Sequence, residues 1–243
     1  MSQLAEVAVP ANTSPVHLPT LRTLEILLAP EEDNEVGIFL GSLGHLRTSG
    51  LGSLSLTYID LEELRFIERF LHISNNALDN ASSLEHLSFS NPRHTDALKA
   101  SPQLLSFIPS LKSMTIGIAG SPCLFQHINR LLAAFTWSTT DEDASVPTES
   151  RCPNPEQMSL HNLAVNPQLL LLMIMSRNLR EVQSEAPIPQ SAPARLAVNL
   201  AGVQFTGRRA SAAPSIKGLK DLEERNLVVF SSLVKQLGVI GRT

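Results

Sequence analysis

The chain has 243 residues, of which 43% are hydrophobic and 5% aromatic, and its formal net charge is −4. This length and apolar content allow a substantial core and exclude global disorder, while the low aromatic content favours layers of aliphatic side chains over a ring-lined pocket. The longest apolar run, residues 169–175, is far shorter than the roughly 20 residues that a membrane-spanning helix needs, so no membrane association is expected.

Residues 1–17 are predicted to form an N-terminal tail. They contain no basic cluster and no continuous apolar run, so a cleaved secretory signal is not expected. The two cysteines, Cys123 and Cys152, do not make a disulfide framework in a chain of this size. These features predict a cytoplasmic or nuclear protein.

One phrase of the form Leu-x-x-Leu-x-Leu, with aliphatic substitutions, recurs after residue 18. Successive copies begin 30, 33, 27, 44 and 24 residues apart, and most of these spacings are close to a solenoid period. Four copies are clear and the last two are weaker. The copies begin at Leu21, Leu51, Leu84, Leu111, Pro155 and Leu179.

Each phrase is predicted to be a short strand, because its alternating apolar residues share one face of a strand. Apolar residues between the phrases follow helical spacing, as in 61–71 and 124–135. A unit of one strand and one helix cannot bury its apolar face alone, so units must stack. The sequence therefore predicts an α/β leucine-rich-repeat-like solenoid over residues 18–185, with short parallel strands on the concave side and helices on the convex side.

Two segments depart from this array. Residues 139–155 are polar, acidic and proline-containing, which predicts a surface insertion. Residues 186–243 open with a linker rich in Pro, Ala and Ser, continue with an alternating strand pattern over 196–205, and end with a predicted helix that caps the array. The apolar face of that helix is predicted to comprise Leu219, Leu222, Leu227, Phe230, Leu233, Val234 and Leu237.

Charge is distributed unevenly between these parts. Residues 186–243 hold eight of the 19 Lys and Arg residues but only three of the 23 Asp and Glu residues. The body, residues 1–185, is therefore acidic and a poor surface for a phosphate backbone. Nucleic-acid binding is not expected.

The phrases HLPTLRTLEIL, ASSLEHLSF and FIPSLKSMTI carry the repeat. Over roughly residues 16–185 the chain resembles the irregular leucine-rich repeats of fungal F-box-type proteins. In such proteins an N-terminal F-box docks on a Skp-type adaptor of a ubiquitin ligase, and the repeats recruit the substrate. The resemblance implies a non-enzymatic scaffold for protein binding that serves as the substrate-recognition part of such an adaptor.

The chain departs from that family at two places. The Asn or Cys that usually follows the third Leu is replaced in the four clear copies, which predicts that the usual side-chain ladder is absent. No F-box is recognisable either, because residues 1–17 are too short for that module, so contact with ligase components is expected only if an F-box lies upstream. The replacing residues are Ala29, Ile59, Pro92 and Ala119.

In a leucine-rich array, the residues that flank the second and third Leu point away from the core. We predict that this set, rich in Ser and Thr, contacts a protein partner. The alternative is that small polar residues merely cover an exposed strand face, since nothing aromatic or Arg-rich marks a hot spot. The set is Thr23, Glu25, Ser53, Ser55, Thr57, His86, Ser88, Ser90, Ser113, Thr115, Gln157, Ser159 and His161.

No catalytic, cofactor-binding or metal site is predicted. Cys123, His127, Cys152 and His161 are separated by 4, 25 and 9 residues, and these gaps fit no zinc module well. The signature loops of hydrolases, metalloproteases and nucleotide-binding proteins are missing from the sequence. The alternative is a small α/β hydrolase or transferase with an unrecognised site, because alternating strands and helices also describe a doubly wound sheet.

The run Arg208-Arg209-Ala210-Ser211 resembles a basophilic kinase site in a flexible loop. Phosphorylation of Ser211 would add about −1.5 to −2 charges there. Ser211 is therefore a predicted phosphorylation site.

Overall fold

The computed structural model describes residues 16–28, 40–76, 83–92, 104–105, 107–118, 128–136, 155–178, 196–207 and 209–230. The strands are β1 (Val16–His17), β2 (Thr23–Leu27), β3 (Leu46–Arg47), β4 (Ser53–Thr57), β5 (His86–Ser90), β6 (Ser113–Gly117), β7 (Gln157–His161), β8 (Ala164–Val165), β9 (Ala197–Ala201), β10 (Gln204–Phe205) and β11 (Val228–Phe230). The helices are α1 (Leu61–Asn76), α2 (Ile128–Phe135), α3 (Pro167–Asn178) and α4 (Arg209–Glu224).

Seven strands form one sheet in the order β2-β4-β5-β6-β7-β9-β11, and every neighbouring pair is parallel. The spatial order follows the chain without reversal. Two short parallel pairs, β1 with β3 and β8 with β10, lie outside this sheet. The prediction of an α/β chain with short parallel strands is confirmed.

The strands form where the repeated phrase places apolar residues two apart. In β4, Leu54 and Leu56 are buried, whereas Ser53, Ser55 and Thr57 are partly exposed. The same alternation recurs in the neighbouring strands, including β7, which confirms the weaker copy at Pro155. The copy predicted at Leu179 lies outside the described residues. The inward-facing strand residues share one apolar cluster with the buried residues of the helices.

The starts of β4, β5, β6 and β7 are each fixed by a carbonyl that accepts two successive backbone N–H groups. The Arg22 carbonyl oxygen accepts from the amides of Gly52 and Ser53, at 2.8 and 3.0 Å. The carbonyls of Gly52, Glu85 and Lys112 each accept in the same way from the next strand. Because the bonds recur unit after unit, all strands begin in the same register.

Four strands of the sheet end in a second recurring feature, a residue in the left-handed conformation. Tyr58, Asn91, Asn162 and Gly202 follow β4, β5, β7 and β9 with φ between 50° and 63°. The side-chain amide of Asn162 donates a hydrogen bond of 2.8 Å to the carbonyl of Ile118 in the preceding unit. Asn162 belongs to the weaker copy at Pro155, and it lies one position earlier than the family pattern puts the asparagine. The predicted absence of the usual ladder concerned the four clear copies and stays a prediction.

Helix α1 begins with a reciprocal capping box. The Asp60 amide donates to the Glu63 carboxylate at 2.8 Å, and the Glu63 amide donates to the Asp60 carboxylate at 2.9 Å. Such a box satisfies two of the amides that a helix start leaves without partners. Leu64, Ile67 and Phe70 then bury the inner face of the helix.

Two polar side chains, the buried Arg177 and the partly buried Asn178, join α3 to its neighbours. Arg177 donates from Nε to the carbonyl of Phe135 at 2.7 Å, and its guanidinium lies 5.5 Å from the centre of the Phe135 ring. The Asn178 amide donates to the carbonyl of Leu196 at 3.0 Å, while its carbonyl accepts from the Leu196 amide at 3.1 Å. These bonds tie α3 to α2 on one side and to the start of β9 on the other.

The predicted C-terminal helix is shorter than the sequence indicated. Helix α4 ends at Glu224, where the amide of Leu227 donates to the carbonyl of Leu222 and the amide of Asn226 to that of Glu223. With Asn226 at a φ of 57°, this arrangement is a Schellman motif, which stops a helix. Leu227 and Phe230 are therefore not helical, and Phe230 belongs to β11. The predicted Leu233, Val234 and Leu237 lie outside the described residues.

The sheet also continues beyond residue 185, where the array was predicted to end. Strands β9 and β11 extend it in register. Helix α4 buries Leu219 and Leu222, whereas Lys217, Lys220 and Glu223 are exposed. The last described helix thus has one apolar and one polar face.

Gly202→Ala should destabilise the fold. The left-handed φ of Gly202 disfavours any residue that has a side chain, and an added Cβ would clash with the side-chain oxygen of Asn162. We expect a loss of about 1–3 kcal/mol in the free energy of unfolding, measured by urea denaturation. Gly41→Ala is the control, because Gly41 lies in a helical turn at residues 40–43 and nothing lies within 4 Å of a Cβ there. A helical Gly→Ala change stabilises by about 0.5–1 kcal/mol. Equal midpoints for the two variants would contradict this reading.

Glu68→Gln should stabilise the fold at neutral pH and have no effect in acid. Glu68 is half-buried on α1, and burial raises the pKa of its carboxyl, partly opposed by Arg65. The folded chain thus binds this proton more tightly than the unfolded chain does. The free energy of unfolding therefore falls as pH rises through the pKa of Glu68 in the unfolded chain and its higher pKa in the folded chain. Thermal midpoints at about pH 3.5 and about pH 7.5 would test this. The exposed Glu224→Gln serves as the control, and a gain of the same size at both pH values would refute the assignment.

Candidate binding face

The face of the sheet opposite the apolar cluster is lined by three rows of side chains, which we call the open face. Each row runs across β2, β4, β5, β6, β7 and β9 along the strand register. The start row is Thr23, Ser53, His86, Ser113, Gln157 and Ala197. The middle row is Glu25, Ser55, Ser88, Thr115, Ser159 and Asn199. The end row is Leu27, Thr57, Ser90, Gly117, His161 and Ala201.

Every residue predicted to contact a partner lies in one of these rows, so the structure brings the whole set together. Sequence reasoning missed the three residues of β9, Ala197, Asn199 and Ala201, because that strand was assigned to the capping segment. It also missed Gly117, which has no side chain to predict from, and Leu27, which is 68% exposed. The alternation in Leu196 to Leu200 was the signal that could have placed β9 in the sheet.

The open face is a lattice of small hydroxyl groups. Neighbouring strands lie about 4.8 Å apart, and outward residues recur about every 6.6 Å along a strand. In the middle row, Ser55, Ser88, Thr115 and Ser159 are consecutive register partners. Glu25 is the one carboxylate in the three rows, and none of them contains a Lys or Arg. The surface is therefore polar but nearly uncharged, apart from what its histidines contribute.

The two histidines of the open face both lie against strand β6. His86 Nδ1 is 2.7 Å from Ser113 Oγ, at the beginning of the strand. At its end, Gly117 is buried, and a Cβ placed there would lie 3.2 Å from His161 Cβ and 3.8 Å from the His161 ring. The missing side chain at Gly117 therefore leaves room for the His161 imidazole.

An ion pair borders the start row. Lys112 Nζ lies 2.6 Å from Glu85 Oε1 between the residues that precede β6 and β5, and both side chains are exposed. The hydrogen bond from Lys112 lowers the pKa of the Glu85 carboxyl, and the same bond raises the pKa of Lys112, with a smaller contribution from Glu156. Opposite charges thus neutralise each other along this border.

The predicted phosphorylation site and the four cysteine and histidine residues considered as zinc ligands lie away from the open face or outside the described residues, except for His161. Ser211 lies in the first turn of α4 rather than in a loop, and its phosphorylation stays a prediction. Cys123, His127 and Cys152 are outside the described residues, so their relation to His161 is untested. Within the described ranges, no group of three His, Cys, Asp or Glu side chains could hold a metal ion. The same ranges contain no helix long and apolar enough to cross a membrane.

Comparison with known proteins returned no relative: no protein-family model, no curated protein and no solved structure matches this chain.

Lys112→Met should shift the titration of Glu85. Because the hydrogen bond from Lys112 is the largest cause of the lowered pKa of Glu85, removing the ammonium group should raise that pKa toward the ordinary carboxyl range. The side-chain carboxyl shift of Glu85, followed by NMR across acidic pH, measures this. Lys220→Met, on the exposed face of α4, should leave Glu85 unchanged. An unshifted Glu85 in Lys112→Met would mean that the ion pair does not form in solution.

Proposed function

We propose that this chain is a protein-interaction scaffold, a leucine-rich-repeat-like solenoid that recruits a partner protein on its open face. The observation that carries the proposal is the in-register alignment of small polar side chains across six parallel strands. Six units that repeat one surface are typical of arrays that present an extended concave face to a partner.

The order of the strands supports a solenoid over a doubly wound enzyme. A doubly wound sheet reverses its strand order at a switch point, where its ligand binds, and is covered by helices on both faces. Here the spatial order follows the chain, and the middle row from Ser55 to Ser159 remains partly exposed. The polar outer face of α4 also suits a unit near the end of an array, which must cover the core on one side only.

The size of the open face limits what it can bind alone. Five strand spacings by four residue rises give about 24 by 13 Å, or about 300 Å² of flat area. A standard interface buries about 800 Å² on each partner. A partner must therefore also contact the borders of the face, such as Lys112 and Glu85 at the strand starts and Tyr58 or Asn91 at the strand ends, or else bind transiently.

A more specific form of the proposal is the substrate-recognition part of an F-box-type ubiquitin ligase adaptor. Its support is the resemblance of the phrases around Leu21, Leu84 and Leu111 to the irregular repeats of that class. Transient binding of a client is consistent with the small, nearly uncharged face, because substrates of a ligase must be released.

The variant Ser55→Glu, His86→Glu, Ser88→Glu tests the scaffold proposal. Three carboxylates on the adjacent strands β4 and β5 should weaken the binding of a partner that requires a neutral, hydroxyl-rich surface. Unpaired like charges at an interface oppose binding. Affinity purification of the tagged chain from its native cells, with quantitative mass spectrometry, measures the loss. We expect at least a tenfold reduction of a specific partner, equivalent to about 1.4 kcal/mol.

The matched control places the same three charges on the helices, as Ala133→Glu, Gln168→Glu and Ala213→Glu, all at exposed positions. Both variants must retain the circular dichroism of the unmodified chain. A partner lost from the open-face variant and kept by the helix variant supports the proposal. Equal partner lists for all three chains refute the open face as a binding site. A client captured alone supports the scaffold, and a client captured together with a Skp-type adaptor supports the ligase assignment as well.

A further inference from the structure

The open face holds a hydroxyl group and an imidazole at hydrogen-bond distance. Ser113 Oγ lies 2.7 Å from His86 Nδ1, and the two residues are register partners on β6 and β5. In the tautomer that is protonated at Nε2, the Nδ1 atom accepts the hydroxyl hydrogen of Ser113. Strand pairing alone therefore sets a base against a serine.

This distance is within the range of about 2.6–3.2 Å over which a general base can take the proton of a nucleophile. The hydroxyls of the middle row have different register neighbours, because Ser55 pairs with Ser88 and Thr115 with Ser159. Ser113 thus differs from these hydroxyls in having an imidazole as its hydrogen-bond partner.

The hydroxyl and the imidazole lie next to the ion pair of Lys112 and Glu85 and are open to solvent. Lys112 precedes Ser113, and its hydrogen bond to Glu85 raises the pKa of its ammonium group, so Lys112 stays positively charged at neutral pH. His86 is exposed, so a small reagent can reach the pair from solvent.

We propose that Ser113 is a nucleophile activated by His86 and that it hydrolyses small carboxylic esters, an activity beyond partner binding. Ser113 Oγ forms a bond to the acyl carbon while its proton passes to His86 Nδ1. The bond from the acyl carbon to the alcohol oxygen breaks, and the imidazolium returns the proton to that oxygen. Water then adds to the acyl carbon, giving a proton to His86, and the acid leaves as Ser113 recovers its hydrogen.

The test is covalent labelling of the purified full chain with a fluorophosphonate probe, with hydrolysis of p-nitrophenyl acetate as a second measurement. Mass spectrometry should find the probe on Ser113, with loss of fluoride. His86→Gln should slow labelling and ester hydrolysis about 100-fold, the lower range for general-base catalysis. Ser113→Ala should abolish labelling at this site and reduce hydrolysis to background. Ser49→Ala, at an exposed position outside the open face, should behave as the unmodified chain.

Two results would overturn the proposal. One is an unlabelled Ser113 in a chain whose circular dichroism shows that it is folded. The other is equal labelling of Ser113 in the unmodified chain and in His86→Gln, which would mean that the imidazole does not activate the hydroxyl. Neither result depends on partner binding, so the scaffold proposal stands or falls separately.

Discussion

The structure depends on the common register of its parallel strands. In each unit the apolar residues two apart face the core, so a slip of one residue would expose both Leu54 and Leu56 and bury serines in their place. Full burial of one such side chain stabilises by about 1.5–3 kcal/mol, so a slip costs about 3–6 kcal/mol in one unit. A single hydrogen bond contributes a net of about 0.5–1.5 kcal/mol. Burial of the aliphatic residues therefore decides the register. The carbonyls that accept two amides at the strand starts stabilise the same register.

The chemistry of the open face is a consequence of that register. Because the strands start together, residues from separate units meet across the sheet: His86 meets Ser113, and Glu85 meets Lys112. These pairs are 27 residues apart in sequence. At the strand ends the same alignment sets the Asn162 side chain against the Ile118 carbonyl. One constraint on the apolar face thus determines which polar groups become neighbours on the other face.

Two features of the molecule show why sequence patterns were incomplete. Helical spacing of apolar residues from Leu219 to Phe230 predicted one helix, but Asn226 adopts a left-handed conformation that ends α4 and lets residues 228–230 form a strand. The gap of five residues between Leu222 and Leu227 departs from helical spacing at the place where α4 ends, whereas the gaps before and after it are three residues. The hydrogen bond from Asn162 to the Ile118 carbonyl was not predicted. The expected asparagine position was counted from a regular repeat, and these repeats are irregular.

The sequence by itself determined the parallel strands and the set of side chains that face away from the core. It could do so because the two-residue alternation of a strand is a local property, readable within five residues. The tertiary structure decided which of those side chains touch, that β9 and β11 continue the sheet, and that the last helix stops at Glu224. These outcomes depend on contacts between residues far apart in sequence, such as Ile118 and Asn162, which are 44 residues apart. No local pattern specifies such contacts.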